Sequence, residues 1–340
     1  MTQIIVFLVL TLAGTLLGWL TKINPITESY FSVFASFALV VGLYGSVVGI
    51  NLEAIRNRRR LAIIIITVAV PLQIVATGWL MYLIFPASVS FLLAVAIDQI
   101  DPLSVDTLLQ DKDSMSEEAK GILRVWAAFD DPMTVIFGFL ILLPMVTGES
   151  LGFDLMAYLF GLALNLIPAL LIWLVYRYTK LLKNRAFAIT LLIATLILAF
   201  ATESYLLAAM TGLLIRPFPE QALSRVITVL YYLVIIIVGM AIFSYGVDLR
   251  LGILLAVVEF FVIQPMSSLI LFNGTVNDIF RIAFAQQNGL TTLLMGLAFQ
   301  SLGFEVLHIL LPAIIVINIC NLIVNKIYSW KEAKGLIVFR

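Results

Sequence analysis

The sequence is poor in the residues from which a water-soluble catalytic domain is built. Only 12% of its 340 residues are charged, against roughly a quarter in soluble domains. That shortage, beside a hydrophobic content of 62%, excludes a soluble enzyme. A single cysteine, Cys320, excludes an intrachain disulfide, and with a single histidine, His308, it leaves no His/Cys set for structural or catalytic zinc. No resident cofactor is expected. Lys plus Arg equals Asp plus Glu at 20 each, so neither sign is in excess to attract nucleic acid. The longest loop, Gln110 to Gly121, is polar and acidic but too short for an appended soluble domain.

What the chain does have is a succession of apolar runs, most of them near the length that crosses a bilayer. They lie at Ile4 to Leu20, Tyr30 to Ile50, Leu61 to Phe85, Ser88 to Leu109, Ile122 to Val146 and Phe153 to Tyr176. They continue at Ala186 to Ala201, Ser204 to Ile215, Ser224 to Tyr245, Leu251 to Phe272, Ile279 to Leu302 and Phe304 to Lys326. This reads as an all-α polytopic membrane protein of about 12 transmembrane helices, at roughly twenty residues each. The uncharged start, Met1-Thr2-Gln3, reads as the beginning of a retained first helix rather than a signal peptide.

The stretch Ala186 to Ile215 must be cut in two at Glu203-Ser204 to reach that number. The distribution of positive charge favours the cut. With it, eighteen of the 20 Lys and Arg fall on one side and only Lys22 and Arg250 on the other, as expected if that side is cytoplasmic. Both termini are then cytoplasmic, and the absence of a targeting extension points to a prokaryotic inner (plasma) membrane.

Five acids stand inside apolar runs: Asp98, Asp101, Asp130, Asp131 and Glu259. An ionised side chain at mid-bilayer costs about 2.5–3.5 kcal/mol even on lenient scales, which makes each a candidate functional group. Adjacent helical residues diverge by about 100°, so Asp130 and Asp131 can line one cavity without facing one point. For Glu259 and Glu203 the expectation is an interfacial or cavity-edge acid.

Proline placement singles out the same region. Asp101, Asp131 and Gln264 immediately precede Pro102, Pro132 and Pro265. Each proline deprives the carbonyl four residues earlier, on Asp98, Ala128 or Phe261, of its helical donor. Freed carbonyls inside a membrane survive where they line a watered cavity, and broken helices are how secondary transporters form midplane ion sites. The run Gln286-Gln287-Asn288-Gly289 places a matching defect in span eleven. Spans four and eleven are therefore expected to be broken, crossing near the midplane in an inverted repeat of spans one to five with eight to twelve.

These residues resemble the monovalent cation/proton antiporter superfamily, the sodium/proton exchangers, over nearly the whole chain. Ala96-Ile97-Asp98-Gln99-Ile100-Asp101-Pro102-Leu103-Ser104-Val105 is similar to the family's A-T-D-P-V-x-V segment of broken helix four. Phe129-Asp130-Asp131 is similar to its N-D or D-D pair in helix five. Leu39 to Glu53 is similar to the helix before its basic loop. The Asp-Asp form implies kinship with electrogenic exchangers. There a Lys or Arg on helix ten pairs with the first aspartate, but that position here is Gln264; the G-E-S segment ahead of the pair reads Val125-Trp126-Ala127.

The resemblance implies a single transporter unit over residues 1–340. Its ion-translocating bundle would comprise about 61–146 and 251–326, scaffold and dimerisation helices about 1–60 and 186–250, and a connecting helix about 153–176. Na⁺, alternatively Li⁺ or K⁺, would compete with protons for Asp131 and Asp130. Carbonyls near Asp98 to Asp101, and Thr134, would supply further oxygen ligands. Ile100, Pro102, Gln264, Asn288 and Gly289 would line the breaks. The expected partners are the cation, the proton, the bilayer and a second copy of the chain. The rival readings are a sodium-coupled organic-anion symporter on a similar inverted-repeat scaffold, a potassium efflux system lacking its regulatory domain, and an intramembrane enzyme. An aspartyl protease needs facing carboxylates from different helices, which adjacent Asp130 and Asp131 cannot supply, although Asp101 with Asp131 could in principle approach.

Overall fold

A computed structural model describes residues 2–48, 59–100, 105, 115–147, 155–272, 274–285 and 288–333. Asp101 and Pro102 lie outside this set, as do Arg56 and Arg58, the Gln286-Gln287 pair and residues 110–114 of the Gln110 to Gly121 loop. Every regular element among the described residues is helical. That is the outcome hydrocarbon demands of an open chain, since a helix satisfies its backbone groups within one segment. Helix α1 is Thr2–Thr21 and α2 is Tyr30–Val48. Helix α3 runs as Arg59–Ile64, a π-helical stretch Ile65–Ala69 and Val70–Ile84. Helix α4 is short, Val89–Ile97. Helix α5 runs as Glu117–Val135, a π stretch Ile136–Leu142 and Leu143–Thr147, followed by α6, Leu155–Tyr178.

Helices α7, Arg185–Ala201, and α8, Tyr205–Leu214, are separated at Glu203. Glu203 takes φ 52°, and the Ser204 N–H returns to the Ala199 carbonyl at 2.8 Å. That pattern of bonds terminates a helix in the manner usually left to glycine. Helix α9 is Glu220–Tyr245, and α10 runs as Leu249–Val257, a π stretch Val258–Ile263 and Gln264–Leu271. Two shorter helices follow, α11, Val276–Ala283, and α12, Leu290–Ser301, before the long α13, Leu307–Ala333. Seven helical stretches among the described residues are long and apolar enough to cross a membrane, and shorter apolar helices accompany them. The chain is a multi-pass membrane protein.

The π stretches end shortly before Pro71, Pro144 and Pro265. A π turn shifts the bonding register by one residue, which accommodates the ring and the missing N–H without breaking the helix. The expected loss of helical bonding at Pro265 is thus absorbed by rewinding, and α5 continues through Pro132. Polar side chains cap the starts of α5 and α10: Ser116 Oγ accepts from the Ala119 N–H at 3.2 Å, and Asp248 Oδ1 from the Leu251 N–H at 2.9 Å.

Helices α1 and α9 pack backbone to backbone. A Cβ on Gly14 would lie 2.2 Å from the Ile236 carbonyl oxygen and one on Gly239 2.4 Å from that of Thr11. Gly14 and Gly18 are spaced as small residues at membrane-helix contacts commonly are. The core includes Phe7 of α1 and Val234 and Val238 of α9, and burial is most complete on α4 and α12. Ser90 and Leu92 to Ile97 are buried on α4, and Leu290 to Gln300 is buried throughout on α12. Helix α12 packs against α2 on one side and α4 on the other, α3 lies along α4 and α10, and α10 lies along α13. Large apolar side chains on α6, among them Met156 and Phe160, face outward, where lipid would meet them.

Candidate functional site

Helix α4 ends at Ile97, and Gln99 and Ile100 have no regular structure. On the other side, α11 ends at Ala283 and α12 begins only at Leu290. The two breaks meet. Asn288 Nδ2 donates to the Ile97 carbonyl at 2.6 Å, to the Gln99 carbonyl at 3.1 Å and to Thr292 Oγ1 at 3.1 Å. One side-chain amide therefore bonds carbonyls at and just beyond the C-terminal end of α4.

The second break is itself held by asparagines of α13. Asn318 Oδ1 accepts from the Asn288 N–H at 3.1 Å, and Asn318 Nδ2 donates to the Asn288 carbonyl at 3.0 Å. Asn321 and Asn325 both donate to the Phe284 carbonyl, at 2.8 and 3.1 Å. Spacings of three and four residues put Asn318, Asn321 and Asn325 on one face of α13. That periodicity was the available signal, and reading the sequence for charge overlooked it. Gly289, with φ −123° and ψ −139°, is neither helical nor extended and immediately precedes α12.

Carboxylates gather at this junction. Asp98, Asp130 and Glu259 are fully buried, and Asp131 is 1% exposed. Asp130 Oδ2 accepts from the Ile100 N–H at 2.6 Å, which ties α5 directly to the broken end of α4. Gln99 Nε2 donates to Thr134 Oγ1 at 2.7 Å, and that hydroxyl donates to the Asp131 carbonyl at 2.9 Å. Asp98 interacts electrostatically with Glu259 and Asp130, and Asp130 with Asp131 and Glu259. The structure brings together Asp98, Ile100, Asp130, Asp131, Thr134, Asn288 and Gly289.

Glu259 departs from the reading of an interfacial or cavity-edge acid. It is enclosed, and its Oε2 accepts from Thr77 Oγ1 of α3 at 2.7 Å. Gln264, which occupies the position where the resemblance places a cation partner, is also buried, and its Oε1 accepts from Gln73 Nε2 of α3 at 3.0 Å. The α10 side chain that interacts with Asp98 and Asp130 is thus an acid, Glu259, five residues earlier. The buried cations among the described residues, Lys120 and Arg281, are engaged elsewhere. Lys120 Nζ lies 2.9 Å from Glu117 Oε1, and the Arg281 guanidinium sits 5.0 Å over the Tyr328 ring.

The arrangement suits a small hard cation or protons. Among the described residues no three His, Cys, Asp or Glu side chains converge closely enough to hold a metal on their own, so neutral oxygens must complete any coordination shell. Such oxygens are present: Gln99 Oε1 and Asn288 Oδ1 are buried and accept no hydrogen bond among the described residues.

No protein-family model matches the chain, and no curated protein matches it in sequence. Solved structures do match in fold. The structure at pH 8 of the sodium proton antiporter MjNhaP1 from Methanocaldococcus jannaschii superposes with a TM-score of 0.69 at 12% identity, covering 92% of this chain and 91% of that one. The electron-microscopy map of the same antiporter gives a TM-score of 0.65 at 12% identity, over 97% of this chain and 91% of that one. These neighbours are transporters, not enzymes.

Proposed function

We propose that the chain is a secondary active transporter that exchanges a monovalent cation, Na⁺ first and Li⁺ or K⁺ as alternatives, for protons at the Asp130–Asp131 pair. The observation that carries this reading is the meeting of two buried aspartates with two helix breaks, Asp130 bonding the Ile100 N–H and Asn288 joining the break in α4 to that before α12. The fold shared with a sodium proton antiporter supports it.

Cation and proton compete for the same carboxylate oxygens. A site holding either is roughly neutral and crosses the apolar barrier, whereas an empty pair of carboxylates is held back by the cost of desolvating two like charges. Exchange is obligatory for that reason. Asp131 and Asp130 bind the ion together with Thr134 and backbone oxygens around Asp98 to Asp101. The bundle of about 61–146 and 251–326 rocks against a scaffold of about 1–60 and 186–250, exposing the site to one side at a time. Twelve spans with both termini cytoplasmic, a plasma-membrane location and a homodimer complete the proposal.

The test is cation-driven proton movement in everted vesicles and proteoliposomes. Adding Na⁺, Li⁺ or K⁺ collapses a preformed pH gradient with the wild type, and Asp131→Asn abolishes the response. Wild-type exchange by that variant would refute the role of Asp131. A gradient that responds only to Na⁺ together with an organic anion would establish a symporter instead.

A further inference from the structure

The exchange reading uses Asp130 and Asp131 and leaves a second polar group unexplained, where α3 meets α10. Asp98, Gln73, Thr77, Glu259 and Gln264 are each at most 1% exposed. Gln73 and Thr77 are four residues apart and share a face of α3. Glu259 and Gln264 are five apart, which in an α-helix sends them to different faces. The π stretch Val258–Ile263 takes one more residue per turn, and both side chains meet α3, at Thr77 and Gln73 respectively.

Two atoms in this seam are unsatisfied. Gln73 Oε1 and Gln264 Nε2 have no hydrogen-bond partner among the described residues. A buried amide left half-paired is costly, and native interiors rarely keep one without water or an ion beside it. Asp98 and Glu259, both fully buried, are close enough to interact through their carboxyl groups, and two ionised carboxylates there would repel unless a proton or a cation lay between them.

We propose that Asp98, Glu259, Thr77 and the spare oxygen of Gln73 form a second position for the transported monovalent cation, beside Asp130–Asp131. Two carboxylates with a hydroxyl and an amide oxygen make an all-oxygen shell suited to a dehydrated alkali cation. Helix α10 then contributes an anionic ligand at the level where a basic partner was expected. The inference rests on the exchange reading for the identity of the ion but not for the existence of the position.

The experiment uses the purified full-length chain and two readouts. One is the rise in melting temperature in detergent as NaCl replaces choline chloride at constant ionic strength; the other is cation-driven proton movement in proteoliposomes. Glu259→Gln is expected to weaken the apparent Na⁺ affinity in the melting titration by about tenfold or more, as loss of a charged ligand would. Thr77→Val acts in the same direction with a smaller shift. An unchanged Na⁺ dependence in Glu259→Gln, or a wild type that no alkali cation stabilises, overturns the proposal. Should Glu259→Gln fail to fold, Thr77→Val carries the comparison, and an unchanged Na⁺ dependence there overturns it equally. Na⁺ stabilisation lost in Glu259→Gln but no exchange by the wild type keeps the position and removes the antiporter reading. Exchange with an unaltered melting titration does the reverse.

Discussion

Asn288 is the side chain on which the junction of the two breaks depends. Its amide reaches the carbonyls of Ile97 and Gln99 and the hydroxyl of Thr292. Asn288→Ala therefore removes the buried hydrogen bonds that join the two breaks, at about 1–3 kcal/mol where an acceptor goes unsatisfied. The expected result is a lower melting temperature in detergent together with loss of cation-driven proton movement; wild-type values of both would show that the breaks hold without it. Asn288 is legible in the sequence, as are Asp130 and Asp131, because a polar group inside an apolar run demands a reason. Glu259 is as conspicuous an acid, yet its apolar neighbours Val258 and Phe260 do not say which face meets α3. Thr77 is hidden for another cause. Threonines in apolar helices commonly turn the hydroxyl onto a carbonyl four residues back, as Thr11, Thr195 and Thr211 do here. Nothing in the sequence separates them from Thr77, which donates to Glu259 instead.

At the scale of helices, prolines and glycines carry opposite information. A proline in an apolar run advertises a lost hydrogen bond, and the sequence shows where. It does not show whether the helix breaks, as α4 does, or rewinds, as α10 does ahead of Pro265, because the remedy depends on the neighbouring helices. The glycines of α1 and α9 are silent for the complementary reason, since a close approach is visible only once both helices are in place. There the contact is made by backbone: Thr15 Oγ1 donates to the Gly239 carbonyl at 3.1 Å, and any Cβ on Gly239 meets the Thr11 carbonyl oxygen. Backbone cannot yield as a flexible side chain does, so Gly239→Ala must push the helices apart, at about 1–3 kcal/mol for overpacking. Thermal unfolding in detergent should show a melting temperature lower by a few degrees, and no loss would mean that α1 and α9 do not depend on this approach. Gly246→Ala, at the cap immediately after the same helix, is the comparison for space, because a Cβ there meets nothing within 4 Å and any loss comes from its φ of 75° instead.

For the molecule as a whole, bilayer thickness fixes helix length, which is why the apolar runs locate the helices from sequence. Partner choice is not fixed in this way. Helices that are apolar on nearly all sides have no face marked for a neighbour, so the packing of α12 between α2 and α4 could not be read from periodicity. That packing matters to transport, because α2 belongs to the proposed scaffold and α12 to the proposed moving bundle. Gly42 of α2 and Leu294 of α12 are in such close register that a Cβ on Gly42 would lie 2.2 Å from Leu294 Cδ1. If alternating access is a rocking of one body against the other, this seam must slide during every cycle. Cysteines at Gly42 and Leu294, in a Cys320→Ser background that removes the chain's one native thiol, place a reactive pair across it. A short bifunctional thiosulfonate linker should then stop cation-driven proton movement in proteoliposomes, and reductant should restore it, while each single-cysteine variant remains active. Continued exchange by a fully cross-linked pair would mean that α2 and α12 travel together and that the boundary of the moving bundle lies elsewhere.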